Sequence, residues 1–275
     1  MPGAHAHRVV RADDLRAEIA FEHAIGAASR LTQIVRLDAG ARRLELHTDV
    51  QWRERHRLLK VAFPLLVHAE RASYEMPFGH AERPTHFSTA ADLARYEVPG
   101  HRWADLSEHG FGVALLNDGK YGHSAHGNVL RLSLLRAPTH PDPEADQGDH
   151  GFAYAVLPHS GDWRTGGVVA EARRFNQPLV WSAGLPGTEP RSLASVDDDN
   201  LVLDTIKRAE DGAAVVLRLY EAHGARGTAR LRVGLPFSGA VSCNLLEDPG
   251  EPLDTDGDEI VIPYRPHEIV SLLLR

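Results

Sequence analysis

Along most of this chain apolar and polar residues alternate with a period of two, and helical spacing is scarce. RLTQIVRLDAG sets Leu31, Ile34, Val35 and Leu37 among polar positions and turns at Asp38-Ala39-Gly40. RRLELHTDVQW then places Leu44, Leu46, Thr48 and Val50 on one face and Arg43, Glu45, His47 and Asp49 on the other. Two such runs around a glycine turn predict a β-hairpin with one wet face. HRLLKVAFPLLVHAE is more continuously apolar, which predicts a strand buried on both faces. Pro64 near its middle calls for a bulge or an edge position. GFGVALLN and NVLRLSLLR read as two further strands, separated by the polar loop DGKYGHSAHG.

The proline-rich, acidic PTHPDPEADQGDH fits neither a regular strand nor a long helix. FAYAVLPHSGDW returns to strand, and GGVVAEARRFNQPLV holds the one short helix, running to about Asn176 because Pro178 disfavours helix before it. GLPGTEPRS reads as a linker. Beyond it LVLDTIKRA, AVVLRLYEA, ARLRVGL, GAVSCNLLE, EIVIPY and EIVSLLLR are six short strands between polar turns, the spacing of an antiparallel sandwich. The chain is therefore expected to be all-β in two parts, residues 1–188 and 189–275.

Composition narrows the function. The net charge of −8, from 38 acidic and 30 basic side chains, argues against a nucleic-acid partner. The single Cys243 excludes an internal disulfide and a cysteine metal cluster. MPGAHAHRVVRADD lacks the apolar run of a signal peptide, and no window approaches the ~20 apolar residues of a membrane span. A soluble, cytoplasmic protein without a membrane partner is the expectation. The HAH at 5–7 reads as incidental rather than as a metal site.

Three stretches carry candidate chemistry. In FGHAERPTH, His80, Glu82 and His86 are a conceivable zinc triad, but Pro84 breaks any helix. A loop in which Glu82 and Arg83 pair with neighbours is the simpler reading. EVPGHRWADLSEHG offers Glu97, Asp105 and Glu108, and paired carboxylates are what glycoside hydrolysis uses. A buried Arg102–Asp105 pair fixing a corner beside Trp103 explains the same residues structurally and is favoured. In LLNDGKYGHSAHGN, Asn117, Asp118, Lys120 and Tyr121 are placed to bond sugar hydroxyls and stack on a sugar ring, to dock a partner domain, or only to satisfy the loop backbone. Glycine-rich phosphate loops of the GxGxxG and GxxxxGK[ST] types are absent.

SYEMPFGHAERPTH, ARYEVPGHRWADLSEHGFGVALLNDGKYG, HGNVLRLSLLRAPTHPDPEADQGDHGFAYAVLPHSGDW and RLYEAHGARG strongly resemble the C-terminal half of the α-mannosidases of glycoside hydrolase family 38, in the branch with the bacterial and fungal vacuolar enzymes. The likeness runs from about Ile19 to the end. It implies a large mutarotase-like β-sandwich, a supersandwich, followed by a smaller antiparallel β-sandwich. Family members carry their nucleophilic aspartate and zinc ligands in an N-terminal α/β barrel followed by a helical bundle, and neither is matched here.

In that family, loops of the large sandwich help line the sugar site. The resemblance thus implies a candidate wall of Glu82, Arg83, His86, Arg102, Asp105, Asn117, Asp118, Lys120 and Tyr121, with no catalytic and no metal residue in this chain. The chain departs from the family at Ser88-Thr89-Ala90-Ala91-Asp92, where an Asn-Thr-Ser-Trp-Asp run is common. It departs again at Gly119, commonly Cys, and at His123-Ser124, commonly Tyr-Asp.

The implied function is a non-catalytic C-terminal portion of a retaining α-mannosidase. Its partners would be an α-mannoside and the catalytic barrel, in cis or as a separate chain, with zinc held in that barrel. An apolar patch facing the barrel would also permit a homo-oligomer. The alternative is a stand-alone carbohydrate-binding or scaffold β-sandwich without catalysis.

Overall fold

The computed structural model describes residues 6–184 and 191–275. The expected boundary between 188 and 189, most of the linker segment, and His5 of the HAH pair lie outside the described residues. Strands dominate and helix is minor, 53% against 5%, so the chain is all-β as expected. It divides into two compact units, one built from residues 6–76 and 81–179, the other from 77–80, 180–184 and 191–275.

The first unit contains β1 (Ala6–Ala12), β2 (Arg16–Ile25), β3 (Ser29–Asp38), β4 (Leu44–Trp52), β5 (Leu59–Pro64), β6 (Arg71–Met76), β7 (Gly79–Pro84), α1 (Ala90–Ala94), β8 (Val98–Pro99), β9 (Trp103–Glu108), β10 (Phe111–Asn117), β11 (Gly122–His126), β12 (Val129–Leu135), β13 (Gly148–Ser160) and α2 (Val168–Asn176). A nine-stranded sheet runs β1-β2-β3-β4-β13-β10-β9-β6-β7, and a four-stranded sheet runs β5-β12-β11-β8. Their facing side chains share one core, with Leu46, Val50, Trp52, Tyr74, Leu106, Leu115 and Tyr154 from the large sheet and Leu59, Val98, Leu130 and Leu132 from the small one. The other face of β9 and β10 is covered by α2 through Val168, Val169 and Ala172.

The β3–β4 hairpin forms as the alternation predicts, with Leu46, Thr48 and Val50 buried and Asp49 exposed. Pro64 ends β5, which is an edge strand, so its missing N–H costs no ladder bond. The expectation that this strand is buried on both faces is overturned: an edge strand of a two-sheet sandwich buries one side, and only Leu59 of its six residues is buried. The presumed loop between β10 and β12 contains β11, whose His123 and Ala125 alternate inward. A second helix, α1, was not expected; Thr89 and Asp92 close a capping box at its start.

The second unit holds all six expected strands as β15 (Leu201–Arg208), β16 (Val215–Glu221), β17 (Gly227–Val233), β18 (Ala240–Cys243), β21 (Glu259–Tyr264) and β22 (Ile269–Leu274). Three short ones join them: β14 (Ala194–Val196), β19 (Pro249–Pro252) and β20 (Thr255–Asp256). Sheets β14-β17-β21-β20 and β15-β16-β22-β18-β19 enclose a core that includes Leu217, Leu219, Leu231, Ile260 and Leu272.

One core position titrates. His123 on β11 is fully buried, and burial, with the Lys60 ammonium nearby, pushes its pKa from 6.5 down to about 4. The unfolded chain then binds the proton more readily than the folded one. Stability from this group is full above pH 6.5 and is lost as pH falls from there through about 4, on the order of 3 kcal/mol in all. His123→Gln should flatten that part of the acid-unfolding curve, as measured by urea denaturation at successive pH values. A variant that retains the wild-type slope would remove His123 as its source.

Candidate functional site

The candidate wall is a corner where β6, β9 and β10 meet two loops. Residues 100–102 lead into β9 and residues 117–121 leave β10, so several backbone groups there have no ladder partner and need another. Some are paired across the corner: Gly100 N–H donates to Tyr121 O, His101 N–H to Glu75 O, Asn117 N–H to Arg102 O and Asp118 N–H to Ala153 O. Asn117 supplies the rest. Its fully buried side-chain amide donates to His101 O at 2.6 Å and to Lys120 O, while its backbone carbonyl accepts from Asn176 Nδ2 at 3.1 Å. Gly119, at φ +74°, gives the turn its left-handed step.

Beneath this corner lies Glu75, 4% exposed, which accepts from Arg102 N–H at 2.6 Å and from Arg102 Nε at 2.9 Å. The suggested Arg102–Asp105 pair is therefore replaced by two different pairs. Asp105, 1% exposed, meets His159 Nε2 at 2.8 Å and accepts from Ser107 Oγ. Burial pushes the Asp105 carboxyl up from its ordinary value, against the lowering effect of His159 and Ser107. The aromatic neighbour expected beside this corner is present, with Trp103 packed on Trp163 at 4.8 Å between ring centroids.

Above the corner the wall residues face outward. Tyr121 is 56% exposed and tilts against His101, its ring centroid 5.6 Å away. Asp118 is exposed. Lys120 lies half-buried with Nζ 4.7 Å from the Phe152 ring, and burial holds its pKa below the ordinary lysine value despite the opposing Asp146 charge. Lys120 opens on a groove of about 870 Å³ that is also lined by Tyr96, Glu97, Arg136, Asp146 and His150. Apart from the adjacent Tyr96 and Glu97, these come from separate segments that strand pairing gathers, so no local motif marks them. Asp146 accepts from Arg136 N–H at 3.0 Å and Ala137 N–H at 2.9 Å. Glu97 pairs with Lys60 at 2.6 Å and accepts from Ser133 Oγ.

Glu82, Arg83 and His86 lie elsewhere, around a smaller pocket of about 180 Å³. Glu82 pairs with Arg71 at 3.0 Å, but the loop reading is otherwise corrected: Glu82 and Arg83 lie on strand β7, and Arg83 Nε has no hydrogen-bond partner among the described residues. The imagined zinc triad is not assembled: His80 Nδ1 donates to Ala222 O at 3.2 Å, and His86 Nδ1 meets Ser88 Oγ at 2.8 Å. Among the described residues no group of three or more His, Cys, Asp or Glu is placed to hold a metal ion, so these residues do not fit the family's zinc. Nor do the three suggested carboxylates converge. Glu97 is held by Lys60, Asp105 by His159, and Glu108 by His68 N–H at 2.6 Å. Among the described residues, no helix is long and apolar enough to cross a membrane.

The clamp yields a direct test. Asn117→Ala leaves the His101 and Lys120 carbonyls without that donor and should cost about 1–3 kcal/mol in denaturant unfolding. Amide exchange at 118–121 should rise with it. Unchanged exchange in that loop would mean that Asn117 does not hold it.

Comparison with known proteins gives a consistent result. Residues 3–144 match the model of the glycosyl hydrolases family 38 C-terminal domain, and residues 200–272 match that of the family 38 C-terminal beta sandwich domain. Alpha-mannosidase 2C1 of Homo sapiens is 46% identical over 270 residues, covering 94% of this chain and 26% of the human protein. The alpha-mannosidase of Saccharomyces cerevisiae is 38% identical over 264 residues, covering 86% of this chain and 24% of the yeast protein. The chain thus spans about a quarter of the length of these relatives. A crystal structure of an alpha-mannosidase from Enterococcus faecalis V583 shares the fold, at a TM-score of 0.82 and 15% identity, over 98% of this chain and 35% of the other. The chain belongs to glycosyl hydrolase family 38 and corresponds to the C-terminal portion of its α-mannosidases.

Proposed function

We propose that this chain is a non-catalytic part of an α-mannosidase, and that it forms one wall of a mannoside site completed by a catalytic barrel outside it. The observation that carries the reading is the braced 117–121 loop. Asn117 fixes the loop from below, and Lys120, Asp118 and Tyr121 are left facing outward. A rigid loop loses little entropy when it meets a sugar or a neighbouring domain. Tyr121 offers a flat face for the apolar side of a pyranose, and Lys120 and Asp118 offer a donor and an acceptor for hydroxyls.

The buried members of the implied wall act differently. Arg102, Asp105 and Asn117 have their polar atoms turned to Glu75, His159 and the loop backbone, so their part is to position the loop. In the complete enzyme the barrel supplies the nucleophile, the acid and the zinc, in cis or from a separate chain. Retaining hydrolysis needs two carboxyl groups about 5–5.5 Å apart across the glycosidic bond. Glu97, Asp105 and Glu108 are each engaged by a different partner here, which supports assigning the chemistry elsewhere.

The purified chain should show no turnover of nitrophenyl α-mannoside with zinc or cobalt added. In the complete enzyme, Tyr121→Ala and Lys120→Ala should raise KM with a smaller change in kcat, because they remove ground-state contacts rather than the reacting groups. Zinc-dependent hydrolysis by the isolated chain would overturn the proposal, as would kinetics unaffected by both substitutions.

A further inference from the structure

Arg83, on β7, carries a buried donor that nothing among the described residues answers. Its Nε is buried and has no hydrogen-bond partner among the described residues, and no carboxylate there lies within ion-pair distance of it. An unpaired buried donor is costly, and the other N–H groups of this guanidinium, which lines a pocket, also have no acceptor among the described residues and are free to meet an occupant. The pocket that Arg83 lines has a volume of about 180 Å³, room for roughly six waters at their liquid volume. That is space for one compact group and a few atoms more.

The electrostatics of the pocket favour an anion. Its two acids are already committed: Glu82 to Arg71 at 3.0 Å, and Asp92 to the Thr89 N–H and hydroxyl that start α1. Arg95, also on the lining, has no acid partner among the described residues. Two uncommitted guanidinium groups therefore share one small cavity. Ser124 and Tyr74 complete the lining with hydroxyl groups. Burial pushes the Tyr74 phenol well above its ordinary value, so it keeps its proton and can donate.

We propose that the pocket around Arg83 binds a phosphate group, either free or carried on a sugar. Guanidinium forks match phosphate oxygens in pairs, and a phosphate has enough oxygens to meet two forks and a hydroxyl at once. A carboxylate has only two oxygens and leaves part of that donor set unmet. The pocket adjoins the groove beside Lys120 at Tyr96 but draws on neither Lys120 nor Tyr121, so this assignment can be tested apart from the mannoside wall.

The test is calorimetric titration of the 275-residue protein at low salt with inorganic phosphate, acetate, mannose and mannose 6-phosphate. Phosphate should saturate one site, with acetate at least about tenfold weaker, the weight of one charge-assisted hydrogen bond. Arg83→Gln should weaken phosphate by about tenfold or more. Because Arg83 has no structural partner, the same variant should unfold no earlier than the wild type when phosphate is absent. If Arg83→Gln does not fold, the exposed Arg95→Gln serves in its place and should weaken phosphate several-fold.

Tighter binding of mannose 6-phosphate than of phosphate supports the site and identifies a sugar-borne group; equal binding supports it with a free anion. The proposal is overturned if phosphate fails to saturate in the millimolar range, if acetate binds as tightly, or if the Arg83 and Arg95 variants that fold bind phosphate unchanged. Competition of uncharged mannose with phosphate would also overturn it and place a sugar there. Loss of the Lys120 and Tyr121 effects on KM would sink the wall reading alone.

Discussion

The constraint on which the candidate site depends is the satisfaction of buried backbone polar groups at one corner of the large sheet. Where β6, β9 and β10 end, the ladders no longer serve all of residues 100–102 and 117–121, and Gly100 and Asn117 among them are buried, so their polar groups need protein partners. Two side chains close the account. Glu75 takes the Arg102 N–H and its guanidinium, and Asn117 serves the His101 and Lys120 carbonyls together. With these in place, the loop backbone has one low-energy path. The backbone then sets where Tyr121 and Lys120 leave the loop, and His101 and the Phe152 ring are the side chains they lie against.

A second buried polar layer, between the large sheet and α2, carries the same logic. The Asp105–His159 pair ties β9 to β13 across β10, and its ring fits only because glycine stands on either side. A methyl group at Gly112 or at Gly166 would collide with the His159 ring. Trp103 on Trp163 seals the layer from water. A buried polar pair is poor evidence of stability, since apolar residues of similar volume often do as well. Its geometric effect is clearer: it fixes the start of β9, and with it the loop that Asn117 serves.

What could be read in the sequence was whatever a local pattern encodes. The β3–β4 hairpin, the six strands of the second unit and α2 follow from alternation, turn residues and the Pro178 limit, all within a dozen residues. β11 was missed because Gly122–His126 is short and glycine-flanked, so the turn signal outweighed two inward positions. α1 was missed although Thr89 and Asp92 stand at capping-box spacing. The pairing of Arg102 was misassigned for a more basic reason. Sequence proximity favoured Asp105, whereas the sheet order brings Glu75, 27 positions earlier, to the same corner. For the same reason nothing local marked Tyr96, Arg136, Asp146 and His150 as neighbours of Lys120.

The charges of the first unit sort by how they are answered. Glu75, Asp105, Glu97 and Glu82 each have a cation or imidazole within 3.0 Å. Asp146 and Glu108 are answered by backbone N–H groups instead. A carboxylate so engaged is a poor nucleophile and a poor acid, because reacting would mean giving up the bonds that make its burial tolerable. The cations around the two cavities are less fully matched: among the described residues Arg83 and Arg95 have no acid partner, and Lys120 lies over the Phe152 ring. Unmatched donors beside matched acceptors are what the proposed mannoside and phosphate contacts would draw on.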